Sequence, residues 1–136
     1  MLNGRKQVLL QDEITATDGV QWRMHTNATV DTSAGTSATL KLDGQVMQVS
    51  ILNAPPGATF STSKAVRFST DPTIPGVPTD QIDQPNPTVT VLIIDLPAGT
   101  YNLQVLFNPQ WPGMSANDFV TPPSVELDSW NLDSHN

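Results

Sequence analysis

Few side chains in this sequence are of the types that carry out catalysis or hold a metal. The 136 residues include two histidines, one tyrosine and no cysteine. The lack of cysteine excludes disulfides, thiolate zinc sites and a cysteine nucleophile. The only histidine besides His25 is His135, near the C-terminal end, so we expect no Ser-His-Asp arrangement. The sequence therefore predicts that the chain does not carry a complete active site.

The tryptophans are candidates for a different task, because planar aromatic rings stack on sugar rings in carbohydrate-binding modules. Trp22 alternates with other apolar residues in a predicted strand, which indicates a position in the core. Trp111 stands between two prolines in an irregular stretch, Pro109 to Pro123, that we expect to pack over an open edge, and it is the tryptophan that we expect to be exposed. Trp111 is therefore the candidate carbohydrate contact.

A proline-rich segment from Asp71 to Pro87 is the one long stretch that resists regular structure. Loops longer than about 12–15 residues are usually functional or mobile. Asp71, Asp80 and Asp83, with Asn86, offer oxygen ligands of the kind that Ca²⁺ takes. The spacing is not that of an EF-hand, which favours a solvated acidic loop over a calcium site.

The remainder of the sequence is typical of antiparallel strands. Long stretches alternate with period two and are rich in Val, Ile, Leu and Thr, and the 12 prolines are scattered in a way that opposes helices. We predict one all-β domain over residues 1–136, an antiparallel β-sandwich. The predicted strands are Lys6–Ile14, Val20–Ala28, Thr36–Leu42, Gln45–Asn53, Thr59–Phe68, Thr88–Leu96, Thr100–Asn108 and Ser124–Leu127.

Two features of these strands indicate how they are arranged. Asp43-Gly44 separates two alternating runs and predicts a two-residue hairpin turn, with Leu42 and Val46 pointing into the core. The run Val89–Ile94 is apolar on both faces, which predicts a central strand covered on both sides.

The charge distribution restricts the partners of the chain. It carries 13 acidic and 6 basic residues, and no basic residue follows Arg67. An acidic surface repels phosphate backbones and anionic lipid heads, so nucleic acid and membranes are excluded as partners. For the same reason we expect the chain alone not to hold a sulfated or uronic polysaccharide. No apolar run reaches the roughly 18 residues of a membrane span.

Several motifs together resemble a known family. The segment Val8–Ile14 and the following Trp22–Thr26 resemble two strands of the C-terminal β-sandwich of heparinase II/III-like polysaccharide lyases. The Asp43-Gly44 hairpin, the stretch Asn53–Phe60 and the turn Leu96–Tyr101 are similar to the same module.

The resemblance implies a two-part parent enzyme that is extracellular or periplasmic. An α/α toroid supplies most catalytic residues, and the sandwich closes one side of a cleft in which a polysaccharide undergoes β-elimination. Tyrosine and histidine usually act as its base and acid. Tyr101 does not match a catalytic position of the family, and the toroid does not correspond to any part of this sequence. The resemblance therefore implies an excised, non-catalytic C-terminal domain whose partner is its own upstream catalytic domain and, through it, a polysaccharide.

The resemblance also implies a possible metal site. Some family members hold a structural zinc ion with two histidines and one aspartate, and Asp12 and His25 match two of these positions. Two ligands do not complete a zinc site, and strand alternation points the two side chains in different directions. The other interpretation is that His25 is an outward strand residue and that Asp12 pairs with Arg23 or with a backbone amide. We therefore predict no cofactor, with zinc or calcium as the alternatives.

Two other functions stay open at this stage. One is a free-standing module that binds a neutral carbohydrate or a protein, and the other is a structural or adhesion domain that self-associates. Asn27-Ala28-Thr29 is an N-glycosylation sequon that falls on a predicted strand, and it matters only in a secreting eukaryotic host.

Overall fold

Strands supply most of the regular structure. The computed structural model describes residues 1–69, 71–78 and 86–131, and within these ranges it contains no α-helix. Two short 3₁₀ turns cover Ala116–Asp118 and Leu127–Ser129. The strands are β1 (Val8–Ala16), β2 (Val20–Thr26), β3 (Thr29–Asp31), β4 (Ser37–Leu42), β5 (Gln45–Asn53), β6 (Phe60–Lys64), β7 (Thr90–Leu96) and β8 (Gly99–Pro109).

The strands form two antiparallel sheets, which confirms the predicted all-β sandwich. One sheet has five strands in the order β1-β8-β5-β4-β3, and the other has three in the order β2-β7-β6. The chain passes from one sheet to the other four times, between β1 and β2, between β2 and β3, between β5 and β6, and between β7 and β8. The glycine-containing segments Asp18-Gly19 and Pro97-Ala98-Gly99 lie at the first and the last of these passages.

The β4–β5 hairpin has the predicted turn. Leu42 pairs with Gln45, which leaves Asp43 and Gly44 as the two turn residues. Both have positive φ, at 49° and 78°, as a type I′ turn requires. Few residue types adopt this backbone conformation without strain, which is why the Asp-Gly pair specifies the reversal.

Strand β7 is central and covered on both sides, as predicted. It lies between β2 and β6, and Val91, Leu92, Ile93 and Ile94 are all buried. Leu92 and Ile94 point into the main core between the two sheets, where they pack with residues of β8. Val91 and Ile93 point the other way, into a smaller cluster with Ala65. Burial on both faces explains why this strand reads as a continuous apolar run.

The predicted inward positions of the hairpin need two corrections. Val46 pairs with Lys41, so it lies on the opposite face from Leu40, which is buried and pairs with Met47. Leu42 is on the same face as Leu40 but is 49% exposed. The three-stranded sheet is too narrow to cover the whole inner face of the five-stranded sheet, and Leu42 lies at the end that stays uncovered.

Two predicted strands also differ from the observed ones. The predicted strand Thr59–Phe68 ends at Lys64, four residues early. Ser124–Leu127 is not a strand, because the side chains of β1 rather than its backbone bind this segment. The structure adds β3, whose three residues are too few to show a period-two pattern.

The C-terminal strap, defined here as residues 115–131, crosses the outer face of β1 and β8. Gln7 is fully buried beneath it, donating from Nε2 to the carbonyl oxygen of Val120 at 3.0 Å and accepting from the Val120 amide at 2.9 Å. Further along, Gln11 donates to the carbonyl oxygen of Val125 and accepts from Gln104. We predicted that the stretch after Pro109 packs over an open edge. It covers a sheet face instead, because that face carries buried glutamines.

Candidate functional site

An open groove at one end of the sandwich is the best candidate for a binding site. Three segments meet there: the β4–β5 hairpin, the link between β2 and β3, and the chain that follows β8. The groove has a volume of about 290 Å³, and every side chain that lines it is uncharged. Its wall is mainly apolar, with amide groups at the rim, and includes Ala28, Leu42, Gln45, Met47, Gln110 and Trp111.

Trp111 is held firmly at this groove while part of its ring stays open to solvent. Its indole Nε1 donates to the carbonyl oxygen of Lys6 at 2.9 Å, and its backbone oxygen accepts from Met114 at 3.1 Å. Trp111 is nevertheless 46% exposed, which confirms the exposure expected from the sequence. The indole is thus fixed in place before any ligand arrives.

The neighbours of Trp111 belong to the same ordered end. The Gln110 amide donates to the carbonyl oxygen of Val46 at 2.9 Å, which prolongs the pairing of β8 with β5. The Gln110 side chain donates from Nε2 to the carbonyl oxygen of Met114 at 2.7 Å. These bonds anchor the chain on both sides of Trp111 to the hairpin and to the following turn.

Trp130 is a second exposed tryptophan, which corrects the expectation that Trp111 is the one exposed tryptophan of the three. It lies directly after the last 3₁₀ turn, is 42% exposed and donates from Nε1 to the carbonyl oxygen of Val125 at 3.1 Å. It does not line the groove. Trp22, by contrast, packs against the main core as predicted.

The two candidate zinc ligands lie in different sheets. Asp12 is on β1 opposite Leu103, a core residue, so it shares the inner face of the five-stranded sheet. His25 is on β2 opposite Val91, on the outer face of the three-stranded sheet, and is exposed. Within the described ranges, no three side chains of His, Cys, Asp or Glu lie close enough together to hold a metal ion. The structure therefore does not assemble Asp12 and His25 into a metal centre.

Arg23 pairs with Asp71 rather than with Asp12. Its guanidinium lies 3.3 Å from the Asp71 carboxylate and 3.8 Å from the centroid of the Phe68 ring. The Phe68 amide also donates to Asp71, at 2.8 Å, and this bond together with Arg23 lowers the pKa of the Asp71 carboxyl below its ordinary value. The arrangement ties the segment after β6 to the outer face of the three-stranded sheet.

This pairing bears on the predicted calcium loop. The Asp71 carboxylate already binds a guanidinium and an amide, which accounts for its presence in the loop without a metal. Asp80 and Asp83, the other predicted carboxylate ligands, lie outside the described residues, as does His135.

Tyr101 lies beside, and Asn27 within, a turn between strands of the two sheets. The Tyr101 hydroxyl donates to the carbonyl oxygen of Pro97 at 2.9 Å, across the turn between β7 and β8. Asn27 is exposed and lies in the bend between β2 and β3 rather than on a strand, which corrects the prediction for the sequon. The next residue, Ala28, lines the groove.

Comparison with protein-family models finds no match, and comparison with curated proteins finds none either. The likeness to heparinase II/III-like lyases accordingly rests on the motifs quoted above. Among the described residues, no helix has the length and apolar character needed to cross a lipid bilayer.

Proposed function

We propose that this chain is the non-catalytic C-terminal β-sandwich domain of a heparinase II/III-like polysaccharide lyase. In this role it packs against and supports an α/α toroid that carries out the β-elimination. The motifs behind the proposal fall on successive parts of the sandwich: Val8–Ile14 lies on β1, and Trp22–Thr26 on β2. The Asp43-Gly44 pair forms the β4–β5 turn, and Leu96–Tyr101 spans the passage from β7 to β8.

The separation of Tyr101 from His25 is the observation that best supports the proposed non-catalytic role. β-Elimination needs a base at the proton next to the uronic carboxylate and an acid at the leaving oxygen, both within hydrogen-bond reach of the substrate. Tyr101 is on β8 and packs against the core between the sheets, with its hydroxyl bonded to Pro97. His25 lies on the outer face of the other sheet. These two side chains do not face a common cleft.

The charge of the chain supports a division of labour in which the other domain captures the substrate. Eight acidic residues and no basic residue follow Arg67 in the sequence, and of these eight Asp71 pairs with Arg23. Screening at physiological ionic strength acts over about 8 Å, so a polyanion that approaches this surface closely is still repelled. In the proposed enzyme, which is extracellular or periplasmic, the toroid supplies the attraction for an anionic polysaccharide.

A free-standing binding module is the second candidate function. The uncharged groove around Trp111 favours it, because small-ligand sites are concave and largely apolar with a few placed polar groups. A module of this kind needs no catalytic partner.

The purified chain should show no lyase activity on heparin, heparan sulfate, hyaluronan or alginate. The measurement is the absorbance of the unsaturated uronic products of β-elimination. Tyr101→Phe and His25→Ala serve as paired variants, since each removes one reacting group with little effect on the core. A rise in absorbance that either substitution abolishes would contradict the non-catalytic role.

A further inference from the structure

We propose that the groove around Trp111 is a subsite for one or two uncharged pyranose rings of a neutral glycan. The site is built from the β4–β5 hairpin, the β2–β3 link and the chain after β8. The inference rests on the geometry of the groove alone, so it holds whether or not the chain belongs to a lyase.

The charge of the groove selects a neutral ligand. The chain has a formal net charge of −7, yet the groove is lined only by uncharged side chains. A uronic or sulfated sugar would enter a site that offers no cation to pair with its anionic group, and buried unpaired charge is costly. A neutral sugar carries no charge, so its binding does not incur this cost.

Trp111 supplies a flat apolar surface whose position is already set. Its Nε1 bond to the Lys6 carbonyl oxygen orients the indole, while the residue stays 46% exposed. Ligand binding is weakened when side chains must be ordered first, and a fixed ring avoids most of that cost. The apolar face of a pyranose ring suits such a surface, and Leu42, which is 49% exposed, adds an apolar side chain to the lining of the same groove.

Amide groups at the rim suit the hydroxyls of a sugar. Each glutamine amide offers two N–H donors and a carbonyl acceptor. Gln110 uses one donor on the Met114 carbonyl oxygen, which orients the amide, and Gln45, on the hairpin, is an exposed residue of the groove lining. A sugar hydroxyl both donates and accepts, so it can bond to either end of such an amide.

The size of the groove favours a small ligand over a protein surface. Its volume of about 290 Å³ lies just below the roughly 300–1,000 Å³ typical of small-molecule sites. A stable protein interface buries about 1,000 Å² or more, which is far beyond one shallow groove.

The test is a calorimetric titration of the chain with soluble neutral oligosaccharides of glucose, mannose, xylose and N-acetylglucosamine. Protein from a bacterial host keeps Asn27, next to the groove, free of a glycan. We expect millimolar or tighter binding of at least one of these that does not weaken as salt is raised. Trp111→Ala should reduce the affinity about tenfold or more, in line with the loss of a central aromatic contact.

Trp130→Ala is the matched control. Trp130 is exposed to a similar degree and makes a similar Nε1 bond, but it lies away from the groove, so its loss should leave the affinity unchanged. If Trp111→Ala does not fold, Leu42→Asp places a charge at the rim from an exposed hairpin position and should weaken binding comparably.

Four results would overturn the proposal. The first is that none of these neutral oligosaccharides binds at millimolar concentration. The second is binding that neither Trp111→Ala nor Leu42→Asp weakens. The third is salt-sensitive binding of a sulfated or uronic polymer in place of a neutral one. The fourth is self-association through the groove that Trp111→Ala abolishes, without any sugar binding.

Discussion

Replacing Leu92 by alanine should lower the free energy of unfolding by about 2–5 kcal/mol. Leu92 is fully buried in the central strand of the three-stranded sheet and faces the core between the two sheets. The strands on either side fix the backbone, so the surrounding side chains can close only part of the cavity. Urea denaturation followed by tryptophan fluorescence measures the change, because the midpoint shifts while the slope stays constant.

Leu42→Ala is the matched control for this substitution. It removes the same atoms from a leucine that is 49% exposed, so the expected cost is less than about 1 kcal/mol. Equal losses at the two positions would show that the core between the sheets is not packed as described.

Replacing Gln7 by leucine should lower the free energy of unfolding by about 2–4 kcal/mol. The substitution keeps the size of the side chain but removes its bonds to the amide and the carbonyl oxygen of Val120. It also removes the bonds to Asn3 and Asn108. A polar group left without a partner away from water costs about 1–3 kcal/mol, and two backbone groups of the C-terminal strap are affected. Denaturation in urea, with amide hydrogen exchange at Val120, detects both effects.

Gln48→Leu provides the comparison on the same sheet. Gln48 is exposed and bonds only to the Thr39 hydroxyl among the described residues, so its replacement should change the stability by less than about 0.5 kcal/mol. If Gln7→Leu were as mild, the strap would not be held by Gln7, and the outer face of β1 and β8 would be covered in another way.

The sequence was sufficient to predict the sandwich and most of its strands. Period-two alternation depends only on neighbouring residues, so strands of six or more residues, such as β5 and β7, were found close to their true bounds. The Asp43-Gly44 turn was predicted for the same reason, because its positive φ angles are a local property. Burial of β7 on both faces also followed from its own composition.

The path of the strap was not predictable from local pattern. Gln7 and Val120 lie 113 residues apart in sequence, and nothing near either residue reveals the other. From the sequence alone, the buried glutamines Gln7 and Gln11 would be expected at the surface, because polar side chains are usually exposed. The stretch was therefore assigned to an edge and not to the face that it covers.

The groove itself was not predicted, although the exposure of one of its residues was. Trp111 was identified because the prolines beside it prevent regular structure, but Leu42 was assigned to the core. Its exposure depends on how far the smaller sheet extends over the larger one. For Asp12 and His25 the alternation of strands already indicated opposite directions, and the structure places them in different sheets.

The most direct test of the proposed role is to read the complete reading frame that encodes this chain in its source genome. Our account predicts a long upstream coding region in the same frame. This region should encode many amphipathic helices, with apolar residues at a period of about 3.6, and should contain the tyrosine and histidine that β-elimination requires. A frame that encodes this sandwich alone, or that joins it to domains with no such helical region, would contradict the assignment to a polysaccharide lyase.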